Sequence, residues 1–347
     1  MTRATRVLSI HAGYTCGHSG RCCTSGWPIP IEAAALSQVR ARLADGTLAT
    51  AHDTPPFVHH ADGVLVGTAG RRCAFHDDQE DGHCRIHRVC GHDGLPVACQ
   101  QFPRQVVLDP RGVSITLSHV CPTADRRAQA QTQPLSITVN DPAFPLDAHY
   151  SGLDAEQALP PALRPDWLLD WPTWWALEAQ AIDWLATDPL LALPRLRCLL
   201  TALAHTPPNN TADLAARTSA IEQLSLTPWV FDPQQAPAIV PALLDVVPEP
   251  WREEARQALG PTEATIRVAD WTRVVAAHTF ASWPAYAGAT VWTWLVAVED
   301  VARVFESVGA ADQVDLVVRH LADSNALIAH WNREATRRYS SAMNGYL

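Results

Sequence analysis

Apolar residues recur at helical spacing through the second half of the chain. Between residues 291 and 305 they step by four and three positions, and a second run of this kind spans 314–331. Both runs predict amphipathic helices with one buried face. Prolines divide the region into about six to eight helices, because proline ends or kinks a helix. We therefore expect an all-α helical domain over residues 166–347.

The first part of the chain has shorter and less regular elements. A helix is predicted over residues 31–46, where Gly46 supplies the C-terminal stop, and a short strand over 64–66. A β-hairpin is predicted over 104–118, because the sequence Asp-Pro-Arg-Gly at 109–112 suits a tight turn between two β-prone runs.

Residues 70–104 are rich in Cys, His, Asp and Gly and have little periodicity. Such a segment cannot bury enough apolar surface to order itself, so another interaction must do so. Polar, Pro-rich residues over 126–165 predict a linker. The expected fold is mainly α: a small irregular Cys-rich metal-binding domain with a β-hairpin (1–125), packed on the all-α helical domain.

Charge is distributed unevenly along the chain. All 26 basic residues are Arg, and the net charge of -10 lies entirely in residues 151–347, since acids and arginines balance before them. An acidic surface argues against nonspecific nucleic-acid binding. The sequence has no apolar run long enough to span a membrane and no secretory signal pattern at its start. We therefore expect a cytoplasmic protein with no nucleic-acid or membrane partner.

Eight of the nine cysteines lie in the first part of the chain: Cys16, Cys22, Cys23, Cys73, Cys84, Cys90, Cys99 and Cys121. Disulfides would suit a secreted chain. Zinc favours paired C-x2-C spacings, which are absent here. An iron–sulfur cluster needs four thiolates from irregular loops, and the chain offers them in excess. The remaining alternative is that these cysteines are small buried apolar residues, as Cys198 in its apolar helix is expected to be.

Adjacent cysteines form an unusual feature of this group. Neighbouring side chains diverge, so Cys22 and Cys23 are not both expected to bind one metal. One of the two is expected to face a second site or to serve as a redox thiol.

Two blocks of sequence carry a family resemblance. The first is GYTCGHSGRCCTSGWPIPIE at 13–32, with Cys16, the pair Cys22-Cys23 and Gly-Trp directly after Thr-Ser. The second is RRCAFHDDQEDGHCRIHRVCGHDGLPVACQQFPR at 71–104, followed by Cys121-Pro122 after the hairpin. Residues 11–125 thereby resemble the flagellin lysine N-methylase family, within a wider cysteine-cluster group described as zinc- or iron-chelating.

The resemblance implies a bound iron–sulfur cluster, expected to be 4Fe-4S with zinc as the alternative. It also implies methyl transfer from S-adenosylmethionine to lysines of a protein or peptide substrate such as flagellin. The implied cluster ligands are Cys16, Cys22 or Cys23, Cys73, Cys84, Cys99 and Cys121; Cys90 is one thiol more than the matched pattern. The other hypothesis is a non-catalytic zinc- or iron-binding module with a helical interaction domain.

Several other residues are candidates for a role in the site. Arg104 follows a Pro-fixed turn and could bind a carboxylate, including the methionine carboxylate of a cofactor, or pair with a nearby acid. His87 and His119 stand near matched cysteines and could ligate a metal or carry a proton. The acidic run at 77–81 could attract a cationic substrate or simply be solvated. The tryptophans at 167, 171, 174 and 175 have core spacing, with a peptide groove as the alternative.

Overall fold

Helices make up 52% of the protein and strands 13%, which confirms the mainly helical fold class. The protein is represented by a computed structural model that describes residues 3–51, 53–77, 83–164, 166–232, 236–261, 265–286 and 290–343. No helix in these ranges combines the length and the apolar character that crossing a membrane requires.

The strands that the structure describes are short, and five of the eleven form one mixed sheet. They are β1 (Ala4–Leu8), β2 (Phe57–His60), β3 (Gly63–Val66), β4 (Thr68–Ala69), β5 (Arg72–Cys73), β6 (Arg104–Asp109), β7 (Gly112–Leu117), β8 (Ile137–Val139), β9 (Leu153–Asp154), β10 (Ala162–Arg164) and β11 (Trp167–Leu168). The five-stranded sheet has the order β8-β1-β7-β6-β9. In it β1 runs parallel to β7 and antiparallel to β8, and β9 runs parallel to β6.

The helices fall into two groups along the chain: early helices that lie between strands of the five-stranded sheet, and later helices that follow the sheet in sequence. The early ones are α1 (Ala33–Ala44), α2 (Arg85–Cys90), α3 (Val97–Gln101) and α4 (Pro122–Ala130). The later ones are α5 (Trp171–Thr187), α6 (Pro189–His205), α7 (Thr211–Glu222), α8 (Ala236–Asp245), α9 (Glu249–Ala258), α10 (Val268–Thr279), α11 (Val291–Val308), α12 (Ala311–Asp315) and α13 (Ser324–Met343). A π-helical turn, Leu316–Leu321, connects α12 to the start of α13.

The predicted local elements of the first part are confirmed. Helix α1 ends just before Gly46, whose φ of 77° is the left-handed conformation that stops a helix. Strands β6 and β7 form the hairpin, with Asp109 paired to Gly112. Glycine is required at 112 because a Cβ there would stand 2.2 Å from the carbonyl oxygen of Ala4 on the neighbouring strand.

The segment 126–165 is more structured than a linker. It contains the end of α4 and the strands β8, β9 and β10, and two of these strands form the edges of the five-stranded sheet. Their partners lie far away in sequence, since β8 pairs with β1. The Pro-rich composition of the segment therefore gave no local sign of strand pairing.

The predicted helix stripe over 314–331 is interrupted. The chain leaves the helix after Leu321 and begins α13 at Ser324. Asp323 explains the restart, because its side chain accepts a hydrogen bond from the backbone N–H of Ala326 at 2.7 Å, as an N-cap does. The run over 291–305, by contrast, is the continuous buried helix α11.

One large apolar core joins the sheet to the later helices. Strand and turn residues such as Leu8, Val107 and Val120 share it with the buried tryptophans of α5, α10 and α11. Trp174 is fully buried, as core packing predicts, whereas Trp167 is exposed. A separate small core, which includes Ile31, Val39, Phe75 and Ile86, lies within the Cys-rich part.

A buried ionic network fixes the sheet against α5. Glu178, 1% exposed, accepts hydrogen bonds from Arg111 at 3.0 Å and from Arg6 at 3.4 Å. Burial alone would raise the pKa of Glu178, but the two guanidinium groups outweigh it and the pKa is lowered. Asp109 holds Arg111 from the other side at 2.6 Å. The charges of this network therefore depend on one another.

We expect Glu178→Gln to lower the free energy of unfolding by about 3 kcal/mol, because it leaves two buried guanidinium groups short of a carboxylate. Denaturant unfolding followed by circular dichroism measures the change. Glu253→Gln is the matched control: Glu253 lies on the exposed surface of α9, where an ion pair contributes little. Equal stability of the two variants would contradict the assignment of Glu178 as the centre of the network.

Candidate functional site

Six of the predicted cysteine ligands line one cavity of about 320 Å³: Cys16, Cys22, Cys23, Cys84, Cys99 and Cys121. They come from four separate segments. The first three lie in the loop after β1, Cys84 directly precedes α2, Cys99 is in α3, and Cys121 directly precedes α4. The fold therefore gathers thiols that are up to a hundred residues apart in sequence.

Cys22 and Cys23 both line this cavity, contrary to the expectation that they do not share one site. Cys22 also lines a second cavity beside Trp27, in line with the expectation that one of the pair faces a second site. The two cysteines lie in a single 3-10 turn, Arg21–Thr24, which begins after Gly20 in the left-handed conformation. Their sulfur atoms are 4.0 Å apart. The tight turn explains the result, because it brings side chains of neighbouring residues closer than an extended chain does.

Five cysteines form a group that we call the five-thiol group: Cys22, Cys23, Cys73, Cys84 and Cys99. The thiol of Cys23 interacts with those of Cys22, Cys73 and Cys84, and this holds its own pKa well above the ordinary value. Cys99 lies in the field of Cys22, Cys84 and Cys73, although burial is the main reason that its pKa is raised.

Cys84 is a thiol whose pKa is lowered. The hydrogen bond from Cys23 is the largest cause, the backbone N–H groups of His87 and Ile86 at the start of α2 add to it, and burial opposes it. Together they bring the pKa of Cys84 to about 7. Cys84 therefore exists partly as the thiolate, which is the form that binds metals and attacks electrophiles.

The other end of the cavity has a different character. The hydroxyl of Tyr14 lies 3.5 Å from the sulfur of Cys121, and burial raises the pKa of this phenol. Thr123 also lines the cavity, and its buried hydroxyl has no hydrogen-bond partner in the part of the chain that the structure describes. The sequence analysis missed both residues, although Tyr14 stands two positions before Cys16 and Thr123 two positions after Cys121.

Arg104 lines the same end of the cavity. Its guanidinium donates to the carbonyl of Gln100 at 2.9 Å and lies over the ring of Phe144, 5.8 Å from the centroid. Within the described ranges it forms no ion pair with a carboxylate, so the alternative of a salt bridge to a nearby acid is not what the structure shows. Arg104 remains able to bind an anionic group of a ligand.

Several histidines surround the mouth of the cavity. The ring of His18 lies 4.9 Å from those of His83 and His87, centroid to centroid, and His87 lies 6.1 Å from His92. Burial, with the neighbouring histidines, lowers the pKa of His87. Of the two histidines favoured by sequence, His87 therefore lies at the cavity, whereas His119 lies elsewhere.

Two of the cysteines in the first part do not line the cavity. Cys73 touches it only through Cys23. Cys90, at the end of α2, packs beside the small core that contains Ile86 and Leu95. Cys198 lies on α6 against the main core, as expected.

Of the acidic run, Asp77 is buried and paired with Arg85 and Arg88 at 3.2 and 2.9 Å, so it is structural. The other three acids, at 78, 80 and 81, lie outside the described residues.

No group of three or more His, Cys, Asp or Glu side chains is arranged to hold a metal ion within the described ranges. A single ion requires donors that converge on one point at bonding distance. The thiols here instead border a cavity. Thiolate donors, with no carboxylate among the described lining residues, are the type that zinc and iron–sulfur clusters take in proteins.

The position of Cys121 is fixed by the helical part of the protein. Asp315 accepts a hydrogen bond from the backbone N–H of His119 and another from His278 at 2.6 Å. Arg319 binds the carbonyl of Leu117 at 3.2 Å and that of Ala277 at 2.8 Å. Leu117 at the end of β7 and His119, four and two residues before Cys121, are thereby held against α10 and the π-helical turn.

No family model matches this chain, and neither a curated protein nor a solved structure is similar to it. The resemblance to flagellin lysine N-methylases therefore stays a prediction that rests on residues 11–125.

We expect Cys84 in the reduced, metal-free protein to be half-maximally reactive toward iodoacetamide near pH 7, because its pKa is lowered to about 7 and only the thiolate reacts. Cys90, whose pKa is raised by burial, should require a higher pH than an ordinary thiol. Peptide mass spectrometry across pH 5–10 separates the two sites.

Cys23→Ala should raise the midpoint of Cys84, because it removes the hydrogen-bonding thiol. Cys198→Ser should leave the midpoint unchanged. If Cys84 titrated together with Cys90, the thiol geometry described above would be wrong.

Proposed function

We propose that this protein is an iron–sulfur enzyme that transfers a methyl group from S-adenosylmethionine to lysine side chains of a protein partner such as flagellin. The observation that supports it most is that six cysteines line one cavity together with Arg104, which pairs with no carboxylate in the described part of the chain. The resemblance over residues 11–125 supplies the reaction and the substrate. A non-catalytic zinc- or iron-binding module with a helical interaction domain is the competing hypothesis.

The five-thiol group would hold the cluster. Cys73, Cys84, Cys99 and one of the pair Cys22 and Cys23 supply the four thiolates that a 4Fe-4S cluster needs. When bound, the cluster would supply electron transfer, anchor the cofactor or order the Cys-rich domain. Cys84 is prepared for this role, since part of its population is already ionised at neutral pH.

Arg104, Tyr14 and Thr123 would bind the methyl donor at the other end of the cavity. The guanidinium of Arg104 suits the methionine carboxylate, because a fork of N–H donors matches two carboxylate oxygens. The unpartnered hydroxyl of Thr123 offers a further hydrogen bond to a polar group of the donor.

The transfer forms a bond between the lysine Nζ and the methyl carbon, breaks the bond from that carbon to the sulfonium sulfur, and releases S-adenosylhomocysteine. The attacking lysine must be neutral, so it has to lose a proton first. His87 would accept this proton, because it lines the cavity and burial lowers its pKa, which leaves the imidazole unprotonated at neutral pH.

After anaerobic purification we expect about four iron and four acid-labile sulfide per chain, with absorption near 400 nm. Cys84→Ser and Cys99→Ser should each lose most of this iron, because each removes a ligand. Cys198→Ser is the matched control and should keep it. Zinc without sulfide would exclude the iron–sulfur cluster and favour the non-catalytic hypothesis.

We expect Arg104→Gln to weaken the binding of S-adenosylmethionine about tenfold, the loss of one charge-assisted interaction, while the iron content is unchanged. Arg126→Gln, an exposed arginine of α4 outside the cavity, is the control. Equilibrium dialysis with radiolabelled S-adenosylmethionine measures binding, and transfer of the label to purified flagellin measures activity. A metal-loaded protein that binds no S-adenosylmethionine would refute the methyl-transfer hypothesis.

A further inference from the structure

A second cavity, of about 290 Å³, lies between α4, α10 and the connection from α11 to α12. It shares no lining residue with the cysteine cavity. This volume is at the lower end of the range for small-molecule pockets. Its lining contains charges of both signs together with apolar side chains, so it can recognise a ligand that carries both charges.

One part of the lining carries a net positive charge. Asp270 accepts hydrogen bonds from Arg273 at 2.8 Å and from Arg267 at 2.7 Å. The carboxylate of Asp270 therefore neutralises one of the two guanidinium groups, and the three side chains together keep a net charge of +1. Arg273 is also fixed by a bond to the carbonyl of Gln131 at 3.1 Å, which holds it in place for an incoming anion.

Another part of the lining is negative. Asp125 and Asp312 both line the cavity, and neither forms an ion pair with an arginine in the described part of the chain. Asp125 accepts only a neutral hydrogen bond, from Gln129 at 2.7 Å. Burial raises the pKa of Asp125, and the negative charges of Asp312 and Asp315 raise it further, whereas the nearby His119 opposes this. A bound cation would relieve this repulsion.

His119 supplies a buried donor at the same cavity. The backbone N–H of Leu117 donates to Nδ1 of His11 at 3.3 Å, so the neutral His11 carries its proton on Nε2. This Nε2–H faces Nε2 of His119 at 3.2 Å, which must then accept. A neutral His119 therefore carries its proton on Nδ1.

That proton has no hydrogen-bond acceptor within the described residues. His119 is 1% exposed, and the nearest carboxylate oxygen, on Asp315, stands 3.5 Å from Nδ1, a distance too long for a good hydrogen bond. A buried N–H without an acceptor costs free energy. A ligand oxygen in the cavity would supply the missing acceptor.

The remaining lining is apolar and includes Ala128, Val274 and Phe305. We propose that this cavity binds a free α-amino acid with an apolar side chain. Its ammonium group pairs with Asp125 and Asp312, its carboxylate with Arg273 and His119, and its side chain packs on Phe305. This site is independent of the cysteine cavity and of any metal held there.

The purified full-length protein is tested with L-leucine and with two fragments of it, isoamylamine, which lacks the carboxylate, and 4-methylpentanoate, which lacks the amine. Isothermal titration calorimetry and thermal unfolding are the readouts. We expect L-leucine to bind in a one-to-one ratio and to raise the unfolding temperature, and each fragment to bind at least about tenfold more weakly, because each loses one charged pairing. L-methionine serves as a second apolar amino acid.

Asp312→Asn should weaken the binding of L-leucine about tenfold. This variant should fold normally, because Asp312 is exposed. Asp245→Asn, an exposed aspartate of α8 away from the cavity, is the control and should bind as the unmodified protein does. Asp125→Asn gives a second test of the same pairing.

Binding of isoamylamine as tight as that of L-leucine would overturn the proposal in favour of a simple cation site. No binding of either amino acid would overturn it altogether. Either result leaves the iron and methyl-transfer experiments unaffected, since those measure the other cavity.

Discussion

The buried carboxylate of Asp315 links the helical part of the protein to the segment of the cysteine cavity that carries Cys121. Burial disfavours its charge, but Arg319, His278 and the backbone N–H of His119 stabilise the ionised form, and its pKa is strongly lowered. These contacts come from α10, the π-helical turn and the segment between β7 and Cys121. Loss of the carboxylate would leave several buried donors unpaired, so the strand end before Cys121 depends on it.

The same π-helical turn also reaches the other cysteine segment. His320 lies 2.8 Å from the hydroxyl of Ser118 and stacks on the ring of Trp27 at 4.3 Å. Trp27 follows the pair Cys22 and Cys23, so one histidine touches the chain beside both ends of the cavity. The helical part therefore contacts the chain next to the cysteine pair and next to Cys121.

Features that depend on local sequence could be predicted, and those that depend on distant partners could not. Helix α1, the β6–β7 hairpin and α11 follow from capping, turn residues and periodicity. The parallel pairing of β1 with β7 and the edge strand β8 have no local signal, because each partner lies far away in sequence. The cysteine spacing predicted that thiols would cluster, but it did not predict which thiols would lie close together. It missed the shared direction of Cys22 and Cys23 and the position of Cys90 outside the cavity.

The thiols oppose one another's ionisation, and this constrains any cofactor that they hold. Hydrogen bonding favours the thiolates of Cys22 and Cys84, whereas the pKa values of Cys23 and Cys99 are well above the ordinary value. All five thiols can therefore be ionised together only if a positive charge lies among them. If the proposed cluster supplies that charge, its binding must release protons, and the apparent affinity must rise with pH. The metal-free group is then best described as a partly ionised set of thiols in which Cys22 and Cys84 ionise more readily than Cys23 and Cys99.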